Sequence, residues 1–118
     1  MRLIRSFGYA IHGITSLFRH EANARIHLCA AVLVLCAGAV LGLSTSEWCA
    51  VILCIGGVFM AEGFNTAIEK LCDKVSPERD PLIKLSKDIA AGAVLLFVLA
   101  AVVVGLLIFF PHIMQYFY

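Results

Sequence analysis

The chain has 118 residues, of which 62% are hydrophobic and 14% are charged. Soluble domains average about 45–50% apolar and about 25% charged residues, so this composition is that of an integral membrane protein. Nine Lys and Arg against eight Asp and Glu argue against nucleic acid as a partner, because no strong basic excess is present. The length predicts one domain, residues 1–118, and leaves no room for a separate soluble catalytic module.

The charged residues are segregated along the chain. Residues 28–61 contain a single charge, Glu47, and residues 89–118 contain none. Nearly all the charges therefore lie in 1–27 and 62–88, which alternate with apolar stretches. This alternation predicts an all-α protein that crosses the membrane several times.

Residues 1–20 are expected to form an amphipathic helix on the membrane surface. Their apolar side chains recur at three- and four-residue spacing: Leu3, Ile4, Phe7, Ile11, Ile14 and Phe18. This spacing with a basic polar face is typical of interfacial helices. The alternative is a disordered cytoplasmic tail.

Three apolar runs predict transmembrane helices over 26–43, 48–68 and 89–110. The last run spans about 33 Å at 1.5 Å per residue, enough for a hydrocarbon core of about 30 Å. Pro111 is expected to end it, since proline disrupts a helix interior. Thr45 or Ser46 is expected to cap the second span.

The basic residues predict the orientation of the spans. All nine lie before the first span or between the second and third: Arg2, Arg5, Arg19, Arg25, Lys70, Lys74, Arg79, Lys84 and Lys87. With three spans, both regions face the same side, so the positive-inside rule places the N-terminus and a loop over 70–88 in the cytoplasm.

A stripe of polar residues follows the second apolar run. At about 100° per residue, five side chains share one helix face: Glu62, Asn65, Thr66, Glu69 and Asp73. A solvated helix face explains Glu69 and Asp73. It explains Glu62 less well, because a carboxylate inside an apolar run costs a few kcal/mol unless it has a partner or a task, such as accepting a proton.

The same membrane face offers groups for phosphate and metal. Glu21 and Glu69 are oxygen ligands of the kind that magnesium prefers, and Arg2, Lys84 and Lys87 could offset phosphate charge. Neither a P-loop nor a protein-kinase glycine loop is present in the sequence. His20 and His27 flank Glu21, but two histidines seven residues apart form a weak metal pattern. The residues alone thus predict an interfacial site with carboxylates able to bind a metal.

One block of this stripe resembles a known family. The run from Glu62 to Glu69 (EGFNTAIE), followed by Asp73 and by Lys87-Asp88, resembles the prokaryotic diacylglycerol kinases, a family that includes the undecaprenol kinases. The likeness covers almost the whole chain. It implies a homotrimer in the bacterial inner membrane, with sites shared between subunits, that phosphorylates the primary hydroxyl of a lipid with ATP and Mg²⁺.

The resemblance also implies roles for individual residues. Glu62 would be the general base, Asn65 would position catalytic groups, and Ala91 would face the lipid. Glu21 and Glu69 would hold magnesium against the nucleotide. The remaining nucleotide contacts would come from Arg2, Tyr9, Glu78, Arg79, Asp80, Lys87 and Asp88. The family commonly has Glu-Tyr-His where this chain has Glu78, Arg79 and Asp80, so its loop departs from the pattern there.

Two questions stay open at this point. Undecaprenol is favoured as substrate over diacylglycerol, because polar groups suited to reading glyceryl esters are few on the spans and because several stretches look more like undecaprenol kinases. Outside the family, a small transporter subunit or a purely structural subunit would also carry apolar spans. A transporter would need its carboxylate near the middle of the membrane, whereas Glu62 lies where the apolar run ends.

Overall fold

A computed structural model describes residues 1–76 and 80–118, and these residues form four helices. They are α1 (Arg2–His20), α2 (Ala22–Leu41), α3 (Thr45–Val75) and α4 (Pro81–Phe117). The amphipathic α1 has no buried residue, while α2, α3 and α4 are each long and apolar enough to cross a membrane. The predicted fold class, an amphipathic surface helix followed by three transmembrane helices, is confirmed.

The helices α3 and α4 extend well beyond the apolar runs that predicted them. They contain 31 and 37 residues, or about 46 and 55 Å, against a hydrocarbon core of about 30 Å. The predicted spans 48–68 and 89–110 are thus the apolar middles of longer helices. Most of segment 70–88, predicted as a loop, is helical, because polar residues continue the backbone hydrogen bonding outside the membrane.

Pro111 lies inside α4, which continues to Phe117, so the prediction that it ends the helix was wrong. A proline removes one backbone hydrogen bond and crowds the carbonyl four residues earlier. The next residue, His112, contacts Glu47 at the start of α3, with Nε2 3.0 Å from Oε1. This contact holds the last turns of α4 against the neighbouring helix.

A tight turn joins α2 to α3. Gly42 ends α2 with φ +74°, a left-handed conformation that glycine adopts without a steric penalty. Ser44 caps α3: its Oγ accepts from the Glu47 N–H at 3.2 Å, and its own N–H donates to Glu47 Oε1 at 2.9 Å. The cap is therefore Ser44 rather than Thr45 or Ser46, because only Ser44 precedes Glu47 by the three residues that a reciprocal capping box requires.

The helices α3 and α4 pack closely against each other. A Cβ atom on Gly57 would lie 2.0 Å from the Phe97 ring, so the absence of a side chain at Gly57 is what admits this ring. A small apolar core of Leu43, Val51 and Ile108 lies near the turn between α2 and α3. Large apolar side chains elsewhere are exposed, as expected where lipid replaces water as the surrounding medium.

Candidate active site

Glu62 lies on the face of α3 that packs towards α2 and is only 3% exposed. The imidazole of His27 on α2 places Nε2 3.1 Å from Glu62 Oε1. A carboxylate so far removed from water needs a polar partner, and His27 provides it. The sequence predicted that Glu62 would need a partner or a task but did not identify His27 as that partner. The one feature that could have indicated His27 is its polar side chain near the start of an apolar run.

The next turn of α3 adds two further polar groups. Asn65 and Thr66 follow Glu62, and Thr66 is 7% exposed. The Asn65 Oδ1 atom is buried and has no hydrogen-bond partner. An unpaired buried acceptor is costly, so it marks a position where a donor from a ligand or a bound water fits.

A charged cluster lies towards the ends of α3 and α4 that are joined by residues 76–80. The Lys87 ammonium donates to Asp73 Oδ1 at 2.8 Å, which ties the two helices together. The hydrogen bond and charge of Asp73 raise the pKa of Lys87, and the charge of Glu69 adds to this effect. Lys87 thus pairs with Asp73, and Glu69 is near enough for its charge to act on Lys87.

Glu21 occupies the junction between α1 and α2. Its N–H donates to Leu17 O at 3.0 Å, and Arg25 closes the end of α1 by donating from Nη1 to Arg19 O at 2.7 Å. These bonds fix the position of Glu21 relative to both helices. No group of three or more His, Cys, Asp or Glu side chains that could hold a metal occurs in ranges 1–76 and 80–118. A magnesium site shared by Glu21 and Glu69 therefore stays a prediction.

The two histidines that flank Glu21 point to different partners. His20 Nδ1 lies 3.1 Å from Ser16 O within α1, while His27 contacts Glu62. Neither contact involves Glu21, so the weak metal pattern of His20 and His27 gains no support.

The other predicted site residues that the structure describes are exposed or have structural contacts. Arg2 and Tyr9 are exposed on α1, and Ala91 is exposed on α4. Asp80 caps α4, with Oδ1 accepting from the N–H groups of Leu82 and Ile83 at 2.8 and 3.3 Å.

Asp88 accepts from Lys84 Nζ at 2.7 Å in an exposed pair one turn apart on α4. The two remaining predicted nucleotide contacts, Glu78 and Arg79, lie outside the described residues.

Two spaces lie beside this arrangement. An apolar cavity of about 230 Å³ lies between α2, α3 and α4, with His27 among its lining residues. A more open groove of about 1000 Å³ separates α1 from α3 and is lined by Gly13, Met60, Phe64 and Thr66, among others. The rings of Phe18 and Phe59 join α1 to α3 edge to face, with centroids 5.2 Å apart.

The chain is similar to several bacterial lipid kinases. The chain is 43% identical to the undecaprenol kinase of Bacillus subtilis over 95% of its own length and 91% of that protein. It is 37% identical to the diacylglycerol kinase of Synechocystis, over 96% of this chain and 65% of the relative. The diacylglycerol kinase of Escherichia coli K12 is 26% identical over 94% of this chain and 91% of its own.

The family model for prokaryotic diacylglycerol kinase matches residues 8–109. This stretch includes most of α1, both helices that carry the Glu62 and His27 pair, and the apolar part of α4. With three helices able to cross a membrane, the chain is a multi-pass membrane protein. It belongs to the prokaryotic diacylglycerol kinase family and is a lipid kinase.

Proposed function

We propose that this protein transfers the γ-phosphoryl group of ATP to the primary hydroxyl of undecaprenol. The observation that carries the proposal is the buried Glu62 carboxylate, placed one helical turn from the unpaired Asn65 Oδ1. A carboxylate at the end of an apolar run is where a lipid hydroxyl meets a nucleotide that arrives from water. Glu62 takes the hydroxyl proton, and the hydroxyl oxygen attacks phosphorus.

The charged groups beyond Glu62 on α3, together with Lys87 on α4, are suited to binding the nucleotide phosphates and a magnesium ion. Lys87 on α4 offers an ammonium whose charged form Asp73 stabilises. Glu69 and Asn65 lie one turn apart and present oxygen atoms, the ligand type that magnesium prefers. Glu21 and Glu69 would hold Mg²⁺, which when bound offsets the charge on the transferring phosphoryl group.

Similarity to an undecaprenol kinase at 43% identity, against 37% and 26% for two diacylglycerol kinases, supports a polyprenol substrate. The walls of the cavity between α2, α3 and α4 are almost entirely apolar, which suits a hydrocarbon chain better than the esters of a glyceride. Diacylglycerol is the alternative substrate, because its primary alcohol poses the same chemistry at Glu62.

We also propose that the active form is a homotrimer in the bacterial inner membrane, with sites shared between subunits. The family resemblance supports the trimer, as does the small core, in which no large side chain of the described residues is completely buried. The basic residues, all on one predicted face, support an active site on the cytoplasmic side, where ATP is available.

The test is a direct comparison of lipids. Undecaprenol and diacylglycerol are supplied at matched mole fraction in the same detergent with Mg²⁺ and ATP, and kcat/KM is measured for each. We expect undecaprenol to be preferred. A preference for diacylglycerol of about tenfold or more, equivalent to about 1.4 kcal/mol, would reverse the substrate assignment. Absence of ATP consumption with both lipids would exclude both as substrates of this kinase.

A further inference from the structure

The packed face of α2 includes His27 as its polar member. Ala24, Ala31 and Gly38 are buried at seven-residue spacing, and His27 follows Ala24 by three residues, on the same side of the helix. These small residues allow the backbone of α2 to come close to its neighbours. The packing of α2 against its neighbours therefore fixes the position of the His27 imidazole, which is less free to move than an exposed side chain would be.

The opposing face of α3 is constructed in the same way. Its buried residues include Val51, Val58, Glu62 and Thr66, so Glu62 continues a buried face that is apolar one turn and three turns earlier. Its side chain is 5% exposed and that of His27 is 24% exposed. Because little water reaches this pair, the His27 imidazole, 3.1 Å from Oε1, dominates the orientation of the Glu62 carboxylate.

We propose that His27 is a positioning residue for Glu62. This inference rests on the proposed function, in which Glu62 is the base. An imidazole Nε2–H facing Oε1 holds one carboxylate oxygen and leaves Oε2 to accept the proton of the lipid hydroxyl. Both the neutral tautomer with hydrogen on Nε2 and the imidazolium supply this donor.

His27 takes no part in the bonds that change. The lipid O–H bond breaks as its proton passes to Glu62 Oε2, and the oxygen forms the new bond to the γ-phosphorus of ATP. The bond from that phosphorus to ADP breaks, and its electron pair stays on ADP. Because His27 acts through the geometry of Glu62, its loss should affect turnover rather than nucleotide binding.

The experiment compares His27→Ala with His27→Gln, which keeps an N–H donor, and with His20→Ala as a control. His20 lies one helix earlier, and its side chain is within hydrogen-bonding distance of the Ser16 backbone and side chain. We expect His27→Ala to lower kcat about tenfold or more, with KM for ATP changed less than about twofold. His27→Gln should recover most of the lost turnover, and His20→Ala should match the unmodified protein.

A second measurement does not depend on turnover. In protein with ¹³C-labelled glutamate, the Glu62 carboxylate resonance, assigned by its loss in Glu62→Gln, should shift in His27→Ala and stay unchanged in His20→Ala. A kcat within about twofold of normal in His27→Ala, while Glu62→Gln is inactive, would overturn the positioning role alone. Equal losses in the Ala and Gln variants would also overturn it. Normal turnover in Glu62→Gln would instead overturn the proposed function.

Discussion

His112 on α4 places Nε2 3.0 and 3.1 Å from the two carboxylate oxygens of Glu47, the residue that completes the cap of α3. At the other end of the same helix pair, Lys87 donates to Asp73. The antiparallel helices α3 and α4 are therefore held together by a polar contact near each end, with apolar packing between these contacts. The Glu62 site lies nearer the Lys87 end along α3.

The hydrogen bonds of the Glu47 carboxylate, to the Ser44 N–H and to His112, predict a pH dependence of stability. The Ser44 backbone N–H, followed by the His112 side chain, lowers the pKa of Glu47 in the folded protein. A lowered folded pKa contributes stability that is present above the unfolded value of about 4.3 and is lost as the pH falls through the folded value. We expect the melting temperature in detergent to fall with acidification in this range, and to fall less in Glu47→Gln. Parallel curves for the two proteins would contradict this.

The contact between Lys87 and Asp73 predicts a pH dependence of stability in the opposite direction, with stability lost as the pH rises. The pKa of Lys87 is raised, so its contribution is fully present below the unfolded value of about 10.4 and is lost as the pH rises through the folded value. Asp73→Asn should therefore lower the pH at which Lys87 becomes reactive towards an amine-acylating reagent, measured by mass spectrometry. The other lysines serve as internal controls, and an unchanged Lys87 profile would show that Asp73 does not stabilise its charge.

Replacement of the proposed base should abolish phosphoryl transfer. Glu62→Gln keeps the shape of the side chain but cannot accept the hydroxyl proton, so we expect a loss of at least about a hundredfold in kcat, the lower end of general-base contributions. Assembly, followed by size-exclusion chromatography, should be unchanged. A variant with near-normal turnover would remove Glu62 from this role.

The proposed magnesium ligands predict a metal-dependent defect. Glu21→Ala and Glu69→Ala should each raise the magnesium concentration required for half-maximal activity and lower the maximal rate, because each removes an oxygen ligand. The measurement is a magnesium titration at fixed ATP. If both variants lose activity with an unchanged magnesium requirement, the carboxylates have another role.

Adjacent glycines on α3 allow a matched test of helix packing. In Gly57→Ala the new methyl group would meet the Phe97 ring at 2.0 Å, whereas the neighbouring Gly56 has no atom within 4 Å of an added Cβ. Overpacking typically costs about 1–3 kcal/mol, while alanine in an open helix position is stabilising by about 0.5–1 kcal/mol. We expect Gly57→Ala to lower the melting temperature and Gly56→Ala to preserve or raise it. Equal effects would mean that Phe97 moves aside without cost.

Local patterns in the sequence were sufficient to predict that the four helices exist, although not where α3 and α4 begin and end. The spacing of apolar residues in 1–20 and the uncharged run 89–110 predicted a surface helix and a transmembrane helix because helix periodicity and partitioning into lipid depend on nearby residues. The same helix geometry aligned Glu62, Asn65 and Glu69 on one face. The cost of a carboxylate in an apolar run indicated that Glu62 requires a partner or a catalytic task.

Tertiary structure decided which groups meet. Glu47 and His112 are 65 residues apart, and the partner of Glu62 lies on a different helix. Such pairings depend on the rotation and height of one helix relative to another, which no local pattern encodes. The continuation of α4 past Pro111 has the same origin, since a contact to α3 offsets a local preference to stop. The sequence thus determined the helices and the residue that required a partner, and helix packing determined that the partner is His27.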